Sequence, residues 1–338
     1  MDLQTIWFVL IVVLIAGYAV LDGYDLGVGV LHLFARSEEE RRIHLNAIGP
    51  VWDGNEVWLL TGGGALFAAF PIVYATVFSG FYLALMLLLL ALILRAASLE
   101  FRSHAASGAF RRFCDWAFGL GSLVSAIIFG VAFGNILRGI PINKDGLYTG
   151  SFLELLNPFA ILVGLLTVAA FVMHGAAYLA MKSEGSLRAR TALLSFRAWS
   201  AFVALYAAAS IASLVVSPFL FVGLASLPLF WVLLAVLLAS VAWFPFSIRH
   251  GAPFRAFLGS SASIACAIGL SALSLFPRLV PSSTDLGYSL TVRNASSSQT
   301  TLAAMLVIAA IGMPLVILYT VVIHRVFRGR VVLDEDSY

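Results

Sequence analysis

The chain has 338 residues, 61% of them apolar and only 11% charged, with a mean hydropathy of +1.00. A soluble domain is about 45–50% apolar and about 25% charged, so 20 Lys or Arg and 17 Asp or Glu are too few to clothe a water-facing globule of this size. The composition excludes an ordinary soluble protein, and the net charge of +3 is gathered in short clusters between apolar runs, a topology signal rather than a nucleic-acid surface.

A helix needs about 20 apolar residues to cross the hydrocarbon core. Nine stretches qualify: 6–34, 51–70, 74–94, 114–138, 157–181, 192–216, 219–247, 256–276 and 301–325. They predict an all-α polytopic membrane protein, one transmembrane domain over 1–338 with membrane lipids around it. Met1 to Thr5 carries no positive charge, so the first stretch is read as a span and not as a signal peptide. Pro71 marks a break between the second and third. Of the 20 Lys and Arg, only Arg138, Lys144, Arg278 and Arg293 fall on one set of inter-span segments; the other sixteen fall on the alternate set. By the positive-inside rule the N-terminus lies outside and the C-terminus inside. The acidic end Asp334-Glu335-Asp336 reads as a solvated tail.

Ionisable residues within a span are costly and mark function by default. The first span holds Asp22 and Asp25, three apart and so on one helix face. Between and after them Gly23 and Gly27 form a GxxxG pattern that lets another helix approach closely. Either the pair is functional or Asp25 caps a helix end near the headgroups. The second span opens with Trp52, Asp53, Asn55, Glu56 and Trp58 after Pro50, which suits a first helical turn. Capping explains one acid there; two acids and an Asn ask for more, while both Trp also fit an interfacial belt. Asp22, Asp25, Asp53 and Glu56 thus offer four carboxyls toward the inner ends of neighbouring helices, a natural proton path.

Further along, Arg95, Glu100, Arg102 and the Asp115-Trp116 pair read as interfacial anchors or ion pairs. Gly130 and Gly134 form a second GxxxG, read as helix packing, and Gly62-Gly63-Gly64 reads likewise. Of six histidines only His174 lies well inside a span, whereas a haem-binding bundle wants paired axial residues on facing helices. No haem or metal ligated by this chain is expected. Cys114 and Cys266 are far apart, without a CxxC pattern, which argues against a disulfide framework or zinc site.

The segments LDGYDLGVGVL (21–31), GPVWDGNEVWLLTGGGALFAAFP (49–71), FGVAFGNILRGIPIN (129–143) and LLNPFAILVG (155–164) together resemble subunit II of the cytochrome bd-type quinol oxidase family. The likeness continues through Pro281-Ser282-Ser283 and 295–299 and covers essentially the whole chain. Its specificity rests on the DGYDLG and WDGNEVWL blocks. The resemblance implies nine helices, as two four-helix bundles plus one, with a periplasmic N-terminus. It implies a heterodimer in the bacterial inner membrane with a haem-bearing subunit I that holds two haem b and one haem d, and small single-span accessory subunits beside it. The complex would oxidise quinol near the outer surface and reduce O2 to water with cytoplasmic protons, contributing to the proton motive force of the respiratory chain without pumping. Asp25 and Asp53 would line the proton path, and Trp52 would pack on the cofactor or quinone side; Asp22 and Glu56 are added on physical grounds alone. The loop at Val216–Phe221 is shorter than in some members. The alternative reading is a proton-coupled secondary transporter using the same acids, although these lie only in the first half of the chain.

Overall fold

The computed structural model describes residues 2–105 and 107–333, so the acidic tail at 334–336 lies outside the described residues. The first helix, α1 (Leu3–His32), begins where the Asp2 carboxylate accepts from the Thr5 amide at 2.9 Å. The next, α2 (Glu38–Ile48), is only 11 residues long. Ser37 caps it by accepting from the Glu40 amide, and Glu38, Glu39 and Glu40 sit where the helix dipole favours negative charge. Its charged face and shortness keep it out of the membrane.

Then follow α3 (Trp52–Ala69), α4 (Pro71–Gly80) and α5 (Tyr82–Arg102). Between α3 and α4 the chain turns by 119° at Phe70. Proline disfavours helical backbone at the residue before it and lacks an amide to donate, so Pro71 ends one helix and starts another. The predicted third span at 74–94 is therefore corrected: 74–80 belongs to the short cross-piece α4, and the crossing helix runs from Tyr82 to Arg102.

The remaining helices are α6 (Gly108–Arg138), α7 (Pro158–Lys182), α8 (Gly185–Val216), α9 (Pro228–Arg249), α10 (Pro253–Leu275) and α11 (Gln299–Val326). The predicted seventh span began at 219, but 218–226 folds as two short 3-10 turns around Gly223, whose φ of +71° requires glycine. Pro228 then occupies the first turn of α9. Before α11 a small antiparallel pair, β1 (Arg278–Val280) and β2 (Leu290–Thr291), packs against the 140–142 segment. Trp7, Phe70, Phe81, Ile140, Val280 and Leu302 form one apolar cluster that closes this end of the molecule.

Eight of these helices are long and apolar enough to cross a membrane by themselves, and counting the bent α3–α4 pair as one span makes nine. Contacts explain why α3 counts. Near its start Asn55 meets Asp25 of α1, and at its far end the carbonyls of Ala68 and Ala69 accept from Ser297, just ahead of α11. The helices α1 and α11 run parallel: Trp7 Nε1 donates to the Leu302 carbonyl at 2.9 Å near their starts, and Tyr24 meets His324 near their ends. First and last crossings in the same direction require an odd number of crossings.

One group of helices, α1, α3, α5 and α6, stands beside a second, α7 to α10, with α11 leaning on α1 and α3. The groups join where side chains vanish. A Cβ added at Gly130 would lie 2.6 Å from Gly164 Cα, and one at Gly134 would lie 2.8 Å from Ala160 Cα, so α6 and α7 touch backbone to backbone. At Gly27 an added Cβ would collide with the Phe171 carbonyl, and at Gly23 it would strike the Phe171 ring, which brings α1 against α7.

Candidate functional site

Seen from α1, Asp22 and Asp25 of the first apolar segment meet Asn55 and Glu56 of the second. Asp22 and Asp25 are both fully buried. From α5, Arg95 reaches across so that its Nη2 donates to Asp22 Oδ1 at 2.7 Å, and Nη1 lies 4.0 Å from Glu56 on α3. Arg95 is itself buried, so the pair faces no water and each charge is compensated chiefly by the other. Of the two expectations for Arg95, interfacial anchor or ion pair, the structure has the ion pair: it is an internal tie between α1, α3 and α5.

Asp25 has a different environment. Its Oδ2 accepts from Asn55 Nδ2 at 2.8 Å, while Oδ1 is buried without a hydrogen-bond partner. The same Asn55 nitrogen donates to the Tyr24 hydroxyl at 2.7 Å. Asp25 is therefore not a helix-end cap, since α1 continues for two further turns to His32. Glu56 is half-buried and borders a mostly apolar cavity of about 1310 Å³, in which it is the one charged residue of the lining. Asp53 does not join the group: it is exposed at the start of α3, and no hydrogen bond or ion pair to it is found among the described residues. Trp52 is half-buried against an apolar cluster that includes Leu45 and Ile48 of α2, and Trp58 is buried against Leu14 and Tyr18 of α1, a packing position rather than a belt position.

A second polar cluster lies at the arginine-rich end. Asp115 of α6 accepts from His32 Nε2 at 2.8 Å, Arg41 Nη1 at 2.6 Å and Arg102 Nε at 2.5 Å. Arg102 also forks onto Glu38 with both oxygens at 3.0 Å. These bonds fasten α2 to the ends of α1, α5 and α6. His44 of α2 is buried beside His32, ring centroids 5.8 Å apart, with neither nitrogen hydrogen-bonded. Burial, with His32, Arg190 and Arg41 nearby, holds the His44 imidazole well below its usual range. The Glu40 carboxyl is lowered: burial would raise it, but hydrogen bonds from the Arg36 amide and Arg190 outweigh that.

At mid-depth, His174 has both ring nitrogens engaged, Nε2 donating to the Val20 carbonyl at 2.9 Å and Nδ1 paired with Ser260 at 2.7 Å. It stacks on Phe257 at 4.5 Å. This histidine holds α1, α7 and α10 together and has no free nitrogen for an axial ligand.

The family model for cytochrome bd terminal oxidase subunit II matches residues 3–327. The chain belongs to that family. It is 37% identical over 364 residues to the Escherichia coli K12 cytochrome bd-I ubiquinol oxidase subunit 2, covering 98% of this chain and 96% of that protein. It is 36% identical over 332 residues to the Bacillus subtilis cytochrome bd ubiquinol oxidase subunit 2, covering 98% and 97%. The fold matches a chain of the bd oxidase from Geobacillus thermodenitrificans with a TM-score of 0.82, at 18% identity, over 97% of this chain and 99% of that one. A multi-pass helical membrane protein of the bacterial bd oxidases, this subunit II carries its family blocks, DGYDLG and WDGNEVWL, at the α1–α3 contact just described.

Three residues of the site escape a reading by charge. Asn55 is visible as a third polar group, but its part in bridging Tyr24 and Asp25 is not. Tyr24 lies between the two acids, where an aromatic reads as packing. His324, close to the end of α11, counts in sequence only as one of several histidines beside basic segments. What brings them together is the parallel docking of α11 on α1, a contact some 300 residues apart in sequence.

Proposed function

We propose that this chain is the non-haem subunit of a quinol:O2 oxidase, and that its buried carboxyl Asp25 carries protons from the arginine-rich face toward the site of O2 reduction in a haem-bearing subunit I. The observation that supports this best is the asymmetry of Asp25: one oxygen fixed by Asn55, the other buried and bare. A carboxyl so placed is oriented by one hydrogen bond and keeps an oxygen able to bind and release a proton. Asp22 does a different job, because Arg95 occupies it and the pair fixes the helices around Asp25. Glu56, which borders the cavity, is the next carboxyl along; the exposed Asp53 at the start of α3 would meet the partner subunit, with the half-buried Trp52 packed beside it on the cofactor or quinone side.

In this reading the arginine-rich face is cytoplasmic, as the charge bias indicates. Two haem b and one haem d belong to the partner, together with the quinol site and any small accessory subunits. The residues at membrane depth here do not fit an axial pair, since His174 is fully engaged and no histidine faces it at that depth among the described residues. Electrons taken from quinol outside and protons taken from inside move charge across the membrane, worth about 2.3 kcal/mol per charge at 100 mV. The oxidase thus conserves energy without pumping. A proton-coupled transporter would use the same acids but has no counterpart among the relatives described above.

The test is purification of this chain by affinity tag from its native membrane. A larger subunit with b- and d-type haem bands and quinol-driven O2 uptake should accompany it. A chain that is stable alone, colourless, and transports a solute with protons would overturn the reading.

A further inference from the structure

We infer that His324 and Tyr24 form the entry by which protons reach Asp25 from the arginine-rich face. This rests on Asp25 being a proton carrier. His324 lies two residues before the end of α11, half-exposed, whereas Tyr24 is fully buried one position ahead of Asp25. Asp25 itself stands seven residues from the end of α1, about 10 Å at 1.5 Å per residue. Something must bridge that depth.

The hydrogen bonds fix the direction of the bridge. His324 Nδ1 lies 2.8 Å from the Thr320 carbonyl, which can only accept, so Nδ1 carries the hydrogen and Nε2 the lone pair. The Tyr24 hydroxyl, 3.0 Å from Nε2, therefore donates to it. Tyr24 oxygen in turn accepts from Asn55 Nδ2, whose other hydrogen goes to Asp25 Oδ2. Asn55 is not a proton link, because an amide nitrogen has no lone pair to spare. It is a spacer: two acceptors on one amide nitrogen lie about 5 Å apart, the span of one bridging water.

A proton from solution can add to His324 only at Nε2, so the Tyr24 hydroxyl turns from Nε2 to the bridging water as the ring becomes an imidazolium with hydrogens on both nitrogens. Its Nε2 hydrogen passes to the Tyr24 oxygen, while the original hydroxyl hydrogen leaves through the bridging water to the Asp25 carboxylate. Histidine and tyrosine end neutral, the water is regenerated, and the carboxyl has gained one proton. No group other than water and the three side chains takes part.

The surroundings hold this arrangement in place. Tyr178 stacks on the Tyr24 ring with centroids 4.2 Å apart and donates its hydroxyl to the Ala47 carbonyl at 3.0 Å. Lys182 Nζ donates to the Phe327 carbonyl at 2.5 Å, which pins the end of α11 over α7. A contact serving only to dock α11 on α1 needs neither a histidine with a solvent-facing position nor a link onward to a carboxyl.

The test uses the assembled oxidase in proteoliposomes, comparing the electrogenic proton-uptake phase after an O2 pulse in wild type, His324→Ala, Tyr24→Phe and Asp25→Asn at equal haem content. Uptake about tenfold slower or more is expected in all three variants, the scale of losing a positioned acid–base group. In His324→Ala alone, added imidazole should restore most of the rate. If Asp25→Asn is slow but His324→Ala and Tyr24→Phe match wild type, protons enter elsewhere and the relay is wrong while Asp25 stands. If all three match wild type, Asp25 is not the carrier and the relay falls with it. If His324→Ala is slow, imidazole does not help and Tyr24→Phe is normal, His324 is only a docking contact. Should His324→Ala fail to assemble, Tyr24→Phe alone decides, since it removes one hydroxyl and keeps the ring stack.

Discussion

Arg95 on α5 donates to Asp22 on α1 at 2.7 Å, and neither side chain is reached by solvent. Removing one partner of a buried pair leaves an uncompensated charge, a loss of about 3–5 kcal/mol, whereas replacing both by apolar residues is often near neutral. Asp22→Leu or Arg95→Met alone is therefore expected to lower the melting temperature of the purified complex sharply. The double variant Asp22→Leu/Arg95→Met should recover most of that loss. A double variant as unstable as the sum of the singles would show that the two do not act as a pair.

Glycine positions separate into those that touch and those that do not. An alanine methyl at Gly27 would meet the Phe171 carbonyl and Gly175, both backbone, so α1 and α7 must move apart. At Gly63 nothing lies within 4 Å of the added carbon. Gly27→Ala is expected to reduce the yield of assembled protein severely, with Gly63→Ala within about 0.5 kcal/mol of wild type in thermal unfolding. Equal behaviour of the two would contradict the close approach.

Acidification should loosen α2. The docked helix keeps His44 neutral, its imidazole well below the ordinary range, whereas an undocked His44 takes up a proton near its ordinary value of about 6.5. Docking is thus fully favourable above about pH 6.5 and weakens as pH falls below it. The groups facing His44 are His32, itself bonded to Asp115, together with Arg190 and Arg41, and the two arginines add to the repulsion of a charged imidazole. Glu40, lowered by the Arg36 amide and Arg190, loses its share only at still lower pH, in the same direction. Amide exchange over 38–48 should rise between about pH 7.5 and about pH 5.5 after correction for intrinsic rates, and His44→Leu should flatten the rise. A flat profile in wild type, or an unchanged slope in His44→Leu, would contradict this account.

Much of the fold was legible in composition: runs of about 20 apolar residues and the skew of Lys and Arg gave nine crossings, and the parallel course of α1 and α11 agrees with an odd number. Boundaries failed where apolar residues do not cross. Residues 74–80 are as apolar as a span, yet Pro71 sends them into the cross-piece α4, and 219–227 is apolar but broken by Gly223. Hydropathy sees solvent preference and not direction. The acids Asp22, Asp25 and Glu56 were found because a charge in an apolar run stands out. Their division into an ion-paired Asp22 and a half-bare Asp25 depends on Arg95 and Asn55, which arrive from other helices. Tyr24 and His324 left no local mark because their meaning is a tertiary contact.

The most direct measurement is turnover and proton uptake of the assembled oxidase carrying Asp25→Asn, with Asp25→Glu alongside. Asparagine keeps the shape and the Asn55 hydrogen bond but cannot take a proton. The expected result is an intact haem spectrum with O2 reduction and proton uptake slowed at least about tenfold in Asp25→Asn and largely recovered in Asp25→Glu. Wild-type rates in Asp25→Asn, at equal haem content, would contradict the claim that this subunit carries protons through Asp25.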